Sequence, residues 1–395
     1  MKTKLLVTVA LAALTALPMW AQPASAQDKE VRVGFMVGFP GGRGIFGRDQ
    51  RDGFLLALDH LGGKLGGLPA KVVIGDTQHK PDVGRQVMDK FIKKDKVHFV
   101  AGITWSNVLA AVYKQALKSK TFLISTNAGW SGMDGKFCNP YFFRSSWNND
   151  ATPEAMGKAL QLENLNDVYL LSANYQAGKD MLTGYMRHYK GRVAGRTLYK
   201  LGNSDWAAEI STIRASKAKA IFAFTPGGMG ISFVKQFKAS GLDKTVKLYT
   251  VFTVDWMTLG AHGKNAIGTF HTSFWDADSK NPANVRFKWD YEKKYKRKAS
   301  MFGVQGYDAA LLIDLGVRGA NGNLKDHDAI RAAMRTANIN SPRGGFIYNV
   351  NHSPIQNYYK REVVADEKGN PKIVTREIVF RGHKDAYYTQ CKMKW

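Results

Sequence analysis

The chain has 395 residues, 44% of them hydrophobic, enough for about two domains with cores of their own. Its 57 Lys and Arg against 32 Asp and Glu give a formal net charge of +25. The basic residues are spread along the chain and the densest cluster, Lys293 to Lys298, reads as a solvated helix end, which argues for attraction of small anions and against nucleic acid.

Lys2 and Lys4 precede an apolar run from Leu5 to Leu17, and Pro23-Ala24-Ser25-Ala26 closes it with small residues in an A-x-A pattern. That is the layout of a secretory leader cut after Ala26, so residues 1–26 are expected to be removed and the mature chain, at +23, to be exported to the periplasm. No later run reaches the roughly 18 apolar residues of a membrane span, so the mature chain is not expected to be membrane-embedded. No Cys follows the leader to carry a lipid. In an oxidising compartment Cys138 and Cys391 are expected to form one disulfide tying the C-terminus back. Neither has a Cys or His at ligand spacing, so no metal site is expected.

Val31 to Val37 reads as the first strand, GFPGGRGIFGRDQ as a loop and RDGFLLALDHLGG as a helix. Gly42, Gly44 and Gly47 match G-x-G-x-x-G, but no acid follows at the usual distance of roughly 20 residues, so the match is a decoy and no dinucleotide cofactor is expected. The glycines read instead as letting the loop bend close to a small molecule. Lys71 to Asp76 is a second strand, and Asp82 to Lys94 a helix with Val83, Val87, Phe91 and Ile92 on one face. A βαβ unit follows: strand His98 to Val100, a helix starting near Ser106, and strand Thr121 to Ile124. Both strands end in hydroxyls, amides and glycines, and a helix start of this kind suits a carboxylate; the same residues also read as ordinary caps and turns.

YFFRS (141–145) looks extended, and a helix begins near Asp150 and Pro153. A second alternating series then runs through strand 168–172, helix 177–189, strand 196–201, helix 206–215, strand 220–224, helix 229–240 and strand 247–252, which specifies a second doubly wound parallel sheet. A strand from Phe270 to Asp276 and helices 284–296, 305–318 and 327–337 follow. FIYNV, QNYYKREVVAD and KIVTREIV read as antiparallel or edge strands. An exported hydrolase lacks support, since there is no G-x-S-x-G elbow, no H-E-x-x-H and no Cys nucleophile, so the chain is not expected to be an enzyme.

The leader together with VAGITWSN, FLISTNAG, YFFRSSWNND, VYLLSANYQAGKDM, AIFAFTPGGMGISFVKQFKASGL and QGYDAALLI resembles the periplasmic solute-binding proteins of the leucine/isoleucine/valine type that serve ATP-driven (ABC) importers. The resemblance spans essentially the whole mature chain. It implies an α/β fold of two lobes with parallel central sheets joined by three crossovers, the type I periplasmic binding protein, closing on a ligand by hinge motion. Mapped here, lobe one would be 28–147 plus 276–345 and lobe two 148–275 plus 346–395. The partners implied are a small carboxylate and a membrane permease; a ligand-presenting subunit of a membrane sensor is the alternative, and the chain is expected to act as a monomer.

Carried over position by position, Trp105, Ser106 and Asn107 match a serine-containing stretch that holds the ligand carboxylate. Asn127, Ala128 and Gly129 match a turn contacting carboxylate and ammonium, although amide and small residues stand where threonine is common. Phe46 falls where an aromatic lines the pocket, Tyr175 matches a Tyr-Gly turn whose glycine is replaced here, and Thr225 opens the next loop. Asp255 matches the acid that pairs with a substrate ammonium, and equally reads as a cap of the following helix. Phe39, Phe46, Trp105, Trp130, Tyr175 and Trp256 all fall in strand-end loops facing the expected cleft. The carboxylate ligand therefore stays open between a hydrophobic amino acid and an aromatic acid.

Overall fold

The computed structural model describes residues 29–393, so the expected leader over residues 1–26 lies outside the described residues. Short strands of Val, Phe, Leu, Ile and Ala seed two sheets, and helices cover both faces, so the strands are apolar almost throughout. In the first sheet β1 (Val31–Val37), β2 (Lys64–Leu65), β3 (Leu68–Asp76), β4 (Phe99–Gly102), β5 (Phe122–Ser125) and β6 (Phe142–Arg144) lie in the order β2-β3-β1-β4-β5-β6. All pairs are parallel except β2 with β3, and Val33 of β1 lies opposite both Val72 and Phe99. Its helices are α1 (Gly44–His60), α2 (Pro81–Asp89, prolonged by a π-helical turn over Lys90–Lys94) and α3 (Ser106–Lys118).

The second sheet begins after α4 (Ala151–Leu162). It comprises β7 (Val168–Ala173), β8 (Val193–Tyr199), β9 (Ala220–Phe224), β10 (Lys247–Val251) and β11 (Phe270–Ser273), interleaved with α5 (Gln176–His188), α6 (Ala207–Ala215), α7 (Gly228–Ala239) and α8 (Trp256–His262). The chain then returns to the first lobe with α9 (Pro282–Tyr295), α10 (Met301–Gly319) and α11 (His327–Arg335); α10 packs along α1 and α11. It crosses back into β12 (Ile347–Tyr348), β13 (Pro354–Ala365) and β14 (Pro371–His383), giving the order β12-β13-β11-β10-β9-β7-β8 with β14 on β13. These last strands are antiparallel to their neighbours, as their alternating pattern implies.

The glycine-rich stretch after β1 departs from the loop expected of it. Gly41–Arg43 is a 3-10 turn and α1 already begins at Gly44. The reason is close packing: a Cβ on Gly44 would lie 1.7 Å from the carbonyl oxygen of Phe39, and one on Gly47 2.5 Å from that of Gly38. Those glycines let the first turn of α1 press onto the end of β1, and they make no flexible loop.

Buried arginines anchor the first and third passages between lobes. Arg144, ending β6, pairs with Asp134 at 2.8 Å, and Arg343 of the third passage pairs with Asp308 of α10 at 2.9 Å. Arg343 Nη1 also donates to Gln356 Oε1 (2.7 Å), whose amide donates to the Ser146 carbonyl in the first passage (3.0 Å). Cys138 and Cys391 are bonded, tying the tail beyond β14 to the loop after β5. Among the described residues, no helix is long and apolar enough to cross a membrane.

Candidate ligand-binding site

β4, β5, β7, β9 and β10 all end at one inter-lobe cleft, the position where open parallel sheets bind ligands. Two non-glycine residues turn the chain there with left-handed backbone, Ile103 after β4 (φ 66°) and Phe252 after β10 (φ 54°). Such conformations are strained for branched or bulky residues and persist only where neighbours enforce them. At Ile103 the enforcement is visible: its N–H donates to the Met36 carbonyl at 2.5 Å, and its own carbonyl accepts from Ala128 N–H at 2.9 Å.

The turn at Ile103 delivers the start of α3 to the cleft. No side chain caps α3, and Trp105 and Ser106 line the cavity; Val108 N–H is spent on the Trp105 carbonyl (3.0 Å), which leaves the N–H groups of Ser106 and Asn107 and the positive end of the helix dipole to meet an anion. Ser106 Oγ accepts from Asn149 Nδ2 (3.0 Å), which leaves its own hydrogen for a further acceptor. Asn127 donates to the Thr104 carbonyl (2.6 Å), while its Oδ1 is buried without a donor. Ala128 supplies only a wall: its N–H is spent on Ile103, and its carbonyl accepts from Ser125 Oγ and Arg144 Nη1, both at 2.7 Å.

Seven aromatic side chains close a circuit around the cavity. Phe46 meets Trp105 (ring centroids 6.1 Å apart), Trp105 meets Tyr175 (5.9 Å), and Tyr175 meets Phe224 (6.2 Å). Phe224 meets Phe252 (6.1 Å), Phe252 stacks on Trp147 (4.5 Å), Trp147 meets Phe302 (6.0 Å), and Phe302 returns to Phe46 (4.7 Å). Trp105 is held in place by its indole N–H, which donates to His79 Nδ1 at 2.8 Å; Nε2 of that imidazole donates to the Pro40 carbonyl at 2.8 Å. Burial lowers the pKa of His79, in keeping with that neutral tautomer. With the lobes this close the circuit encloses only about 30 Å³, about one water's share, so a ligand enters as the lobes part.

Among the described residues, no charged side chain lines the cavity. Arg43 stands behind the wall, its guanidinium 5.5 Å from the Trp105 ring centre, and forms no ion pair among the described residues. The nearest acid on the lobe-two side is Asp180 of α5, which accepts from Asn149 Nδ2 (2.9 Å) and Gln176 Nε2 (2.8 Å); burial pushes its carboxyl up to about 6.

Of the residues singled out from the sequence, Phe46, Trp105, Ser106, Asn127, Ala128 and Tyr175 come together on the cavity wall. Asn107, Gly129, Thr225 and Asp255 lie outside it. Asn107 sits one residue into α3 with its Oδ1 buried and unpaired. Gly129 lies under the first passage, where a Cβ would come within 2.8 Å of the Trp147 carbonyl. Thr225 is tied to Thr253, its N–H and its hydroxyl each 3.1 Å from Thr253 Oγ1, and Pro226 takes the wall position. Asp255 caps α8: Oδ1 accepts from Met257 N–H at 3.3 Å, and Thr258 completes a capping box. Burial pushes its carboxyl up to about 6, against the pull of Arg361. Phe39, Trp130 and Trp256 also lie off the wall.

Thr104, one of the hydroxyls at the end of the first strand of the βαβ unit, also lines the wall; sequence reasoning missed Trp147, Asn149, Ala177, Met181, Phe224, Phe252 and Phe302 as wall residues. Phe224 and Phe252 end or follow strands whose carboxyl ends face the cleft, so the rule that found Trp105 covers them too. Phe302 opens a distant helix and carries no such mark.

A family model described as Periplasmic binding protein matches residues 30–370. The chain belongs to the periplasmic binding protein family. This binding protein is 25% identical over 379 residues to Leu/Ile/Val-binding protein homolog 6 of Brucella melitensis, covering 92% of this chain and 96% of that protein. Among solved structures it resembles an ABC transporter solute-binding protein from R. palustris in complex with benzoate: 27% identity, TM-score 0.87, covering 92% of this chain and all of the other. A solute-binding protein from Rhodopseudomonas palustris BisB5 in complex with 3,4-dihydroxy benzoic acid gives 25% identity and TM-score 0.85, covering 91% and 99%. The binding protein thus has the two-lobed type I fold of ABC-importer solute-binding proteins, and these relatives are binding proteins, not enzymes.

Proposed function

We propose that this protein captures a benzoate-type aromatic carboxylate between its lobes in the periplasm and presents it to an ABC permease. The observation that carries this reading is the closed circuit of seven aromatic rings with no charged side chain on the wall. A flat apolar acid needs only such walls and a place for its carboxylate, and the uncapped start of α3 suits that group. An α-ammonium buried in the same space would need an anionic partner, since an unpaired buried charge costs several kcal/mol. Asp255 does not reach the wall and Asp180 is already bonded. The relatives in complex with benzoate and 3,4-dihydroxy benzoic acid support the same ligand class. We assign 28–147 plus 276–345 to lobe one and 148–275 plus 346–395 to lobe two, with closure by hinge motion of the three passages.

One feature favours a hydrophobic amino acid: the free Asn127 Oδ1 is a neutral acceptor on the wall that an ammonium could use. Thermal unfolding of refolded protein with benzoate, 4-hydroxybenzoate, leucine and isoleucine separates the two. A ligand at a thousandfold excess over Kd stabilises by about 4 kcal/mol, so the melt rises clearly with the aromatic acids. A rise with leucine or isoleucine and none with either aromatic acid overturns the proposal.

A further inference from the structure

Trp147 lies in the first passage between lobes, 3% exposed, and forms part of the cavity wall. Its indole N–H is buried and has no acceptor among the described residues. The rings around it, Phe252 (4.5 Å), Phe274 (5.5 Å) and Phe302 (6.0 Å), carry no oxygen or nitrogen to receive it. Other buried tryptophans do place this group: Trp105 donates to His79, Trp206 to Ser232 Oγ at 2.8 Å, and Trp275 to Asn284 Oδ1 at 2.9 Å. A buried indole N–H usually finds a partner, because leaving it unmade forfeits the hydrogen bond it had in water. Of these four tryptophans, Trp147 alone both borders the cavity and has its N–H unmade.

Trp147 also stands across the circuit from Trp105. Phe46 and Phe302 separate the two on one side, and Tyr175, Phe224 and Phe252 on the other. Trp105 leads directly into the start of α3, where the carboxylate is placed. A flat ligand whose carboxylate is on α3 would therefore bring its far edge to the Trp147 side of the circuit.

We propose that the Trp147 indole N–H is the second polar anchor of the site, donating to an oxygen on the ligand ring remote from the carboxylate, so that the preferred ligands are oxygen-substituted aromatic acids and not unsubstituted ones. This rests on the aromatic-acid reading above. A hydroxyl, ether or ring carbonyl oxygen meets the requirement, since each accepts a hydrogen bond. An unsubstituted ring leaves the N–H unmade and gains only the apolar walls.

Calorimetric titration of the refolded protein and its Trp147→Phe variant with benzoate and with 4-hydroxybenzoate tests this. The unsubstituted protein should prefer 4-hydroxybenzoate by about tenfold, the upper range for one hydrogen bond. Trp147→Phe should bring the two acids within about twofold of each other. An unchanged preference overturns the proposal. So does an equal loss for both acids, which would assign Trp147 to ring packing or to the carboxylate. If neither acid binds the unsubstituted protein, the aromatic-acid reading falls as well, and the two failures are thus distinguishable. A second readout needs no variant: the ¹⁵N-labelled Trp147 indole resonance should move downfield with 4-hydroxybenzoate and much less with benzoate, and equal movement refutes the anchor.

Discussion

Replacing Asp255 with Asn separates a helix cap from an ammonium partner. The side chain is 1% exposed, its Oδ1 receives the Met257 N–H, and its Oδ2 has no donor. Asn caps a helix about as well as Asp and carries no charge, so the substitution keeps the cap and deletes the titration. Burial raises the folded carboxyl from 3.8 to about 6, about two units or about 3 kcal/mol of preference for the neutral form. The sign follows from proton binding: the folded state holds this proton more tightly than the unfolded state. The wild-type protein is therefore as stable as Asp255→Asn below about pH 4, and it loses about 3 kcal/mol relative to the variant as pH rises through about 6. Urea unfolding of both proteins at pH 4, 5, 6 and 7 reads that difference, and titration with 4-hydroxybenzoate at pH 7 should give affinities within about twofold. A folded Asp255→Asn protein that lost ligand binding a hundredfold, or a stability gap that did not widen with pH, would refute the reasoning.

Two further predictions concern stability. Replacing Cys138 and Cys391 with Ser opens a loop closed across a separation of 253 residues, and chain entropy puts the cost at about 5 kcal/mol; denaturant unfolding with and without reductant measures it, and an unmoved midpoint would exclude a bond. Gly44→Ala drives a Cβ into the Phe39 carbonyl and displaces the turn bearing Phe46, so it should destabilise by at least 2 kcal/mol and weaken ligand binding. Gly260→Ala in α8, with open space around it, should be neutral or stabilising by up to about 1 kcal/mol.

The sheets were legible in the sequence because strand-helix alternation is a local pattern: β1 and β9 match their expected spans residue for residue, the other expected strands shift by a few positions at their ends, and only the two-residue β2 was not expected. The start of α1 was not. Glycine is a poor helix former, so Gly44 and Gly47 read as loop, and only contact with the Phe39 and Gly38 carbonyls explains why glycine is required inside a helix. The site divides in the same way. Ser106 and Trp105 follow a strand and open a helix, a signal written within a few residues. Phe302 reaches the wall from a helix roughly 200 residues downstream of Trp105, and Trp147 reaches it from the passage between lobes, so nothing local marks either as a wall residue. Asp255 is the converse case: its position after a strand suggested the ligand, while the capping box it forms with Thr258 spends the side chain on its own helix.

Asn149 gives its amide to Ser106 in one lobe and to Asp180 in the other. The latch is made of protein groups alone, so part of the free energy of closing is available before any solute arrives. Preorganisation of this kind raises apparent affinity by enlarging the fraction of molecules already competent to bind. It also gives unloaded copies access to the shape of loaded ones. Under the proposed role, loaded and idle molecules would then compete for the same permease, and net uptake would depend on how far the solute concentration exceeds Kd as well as on how many binding proteins are present.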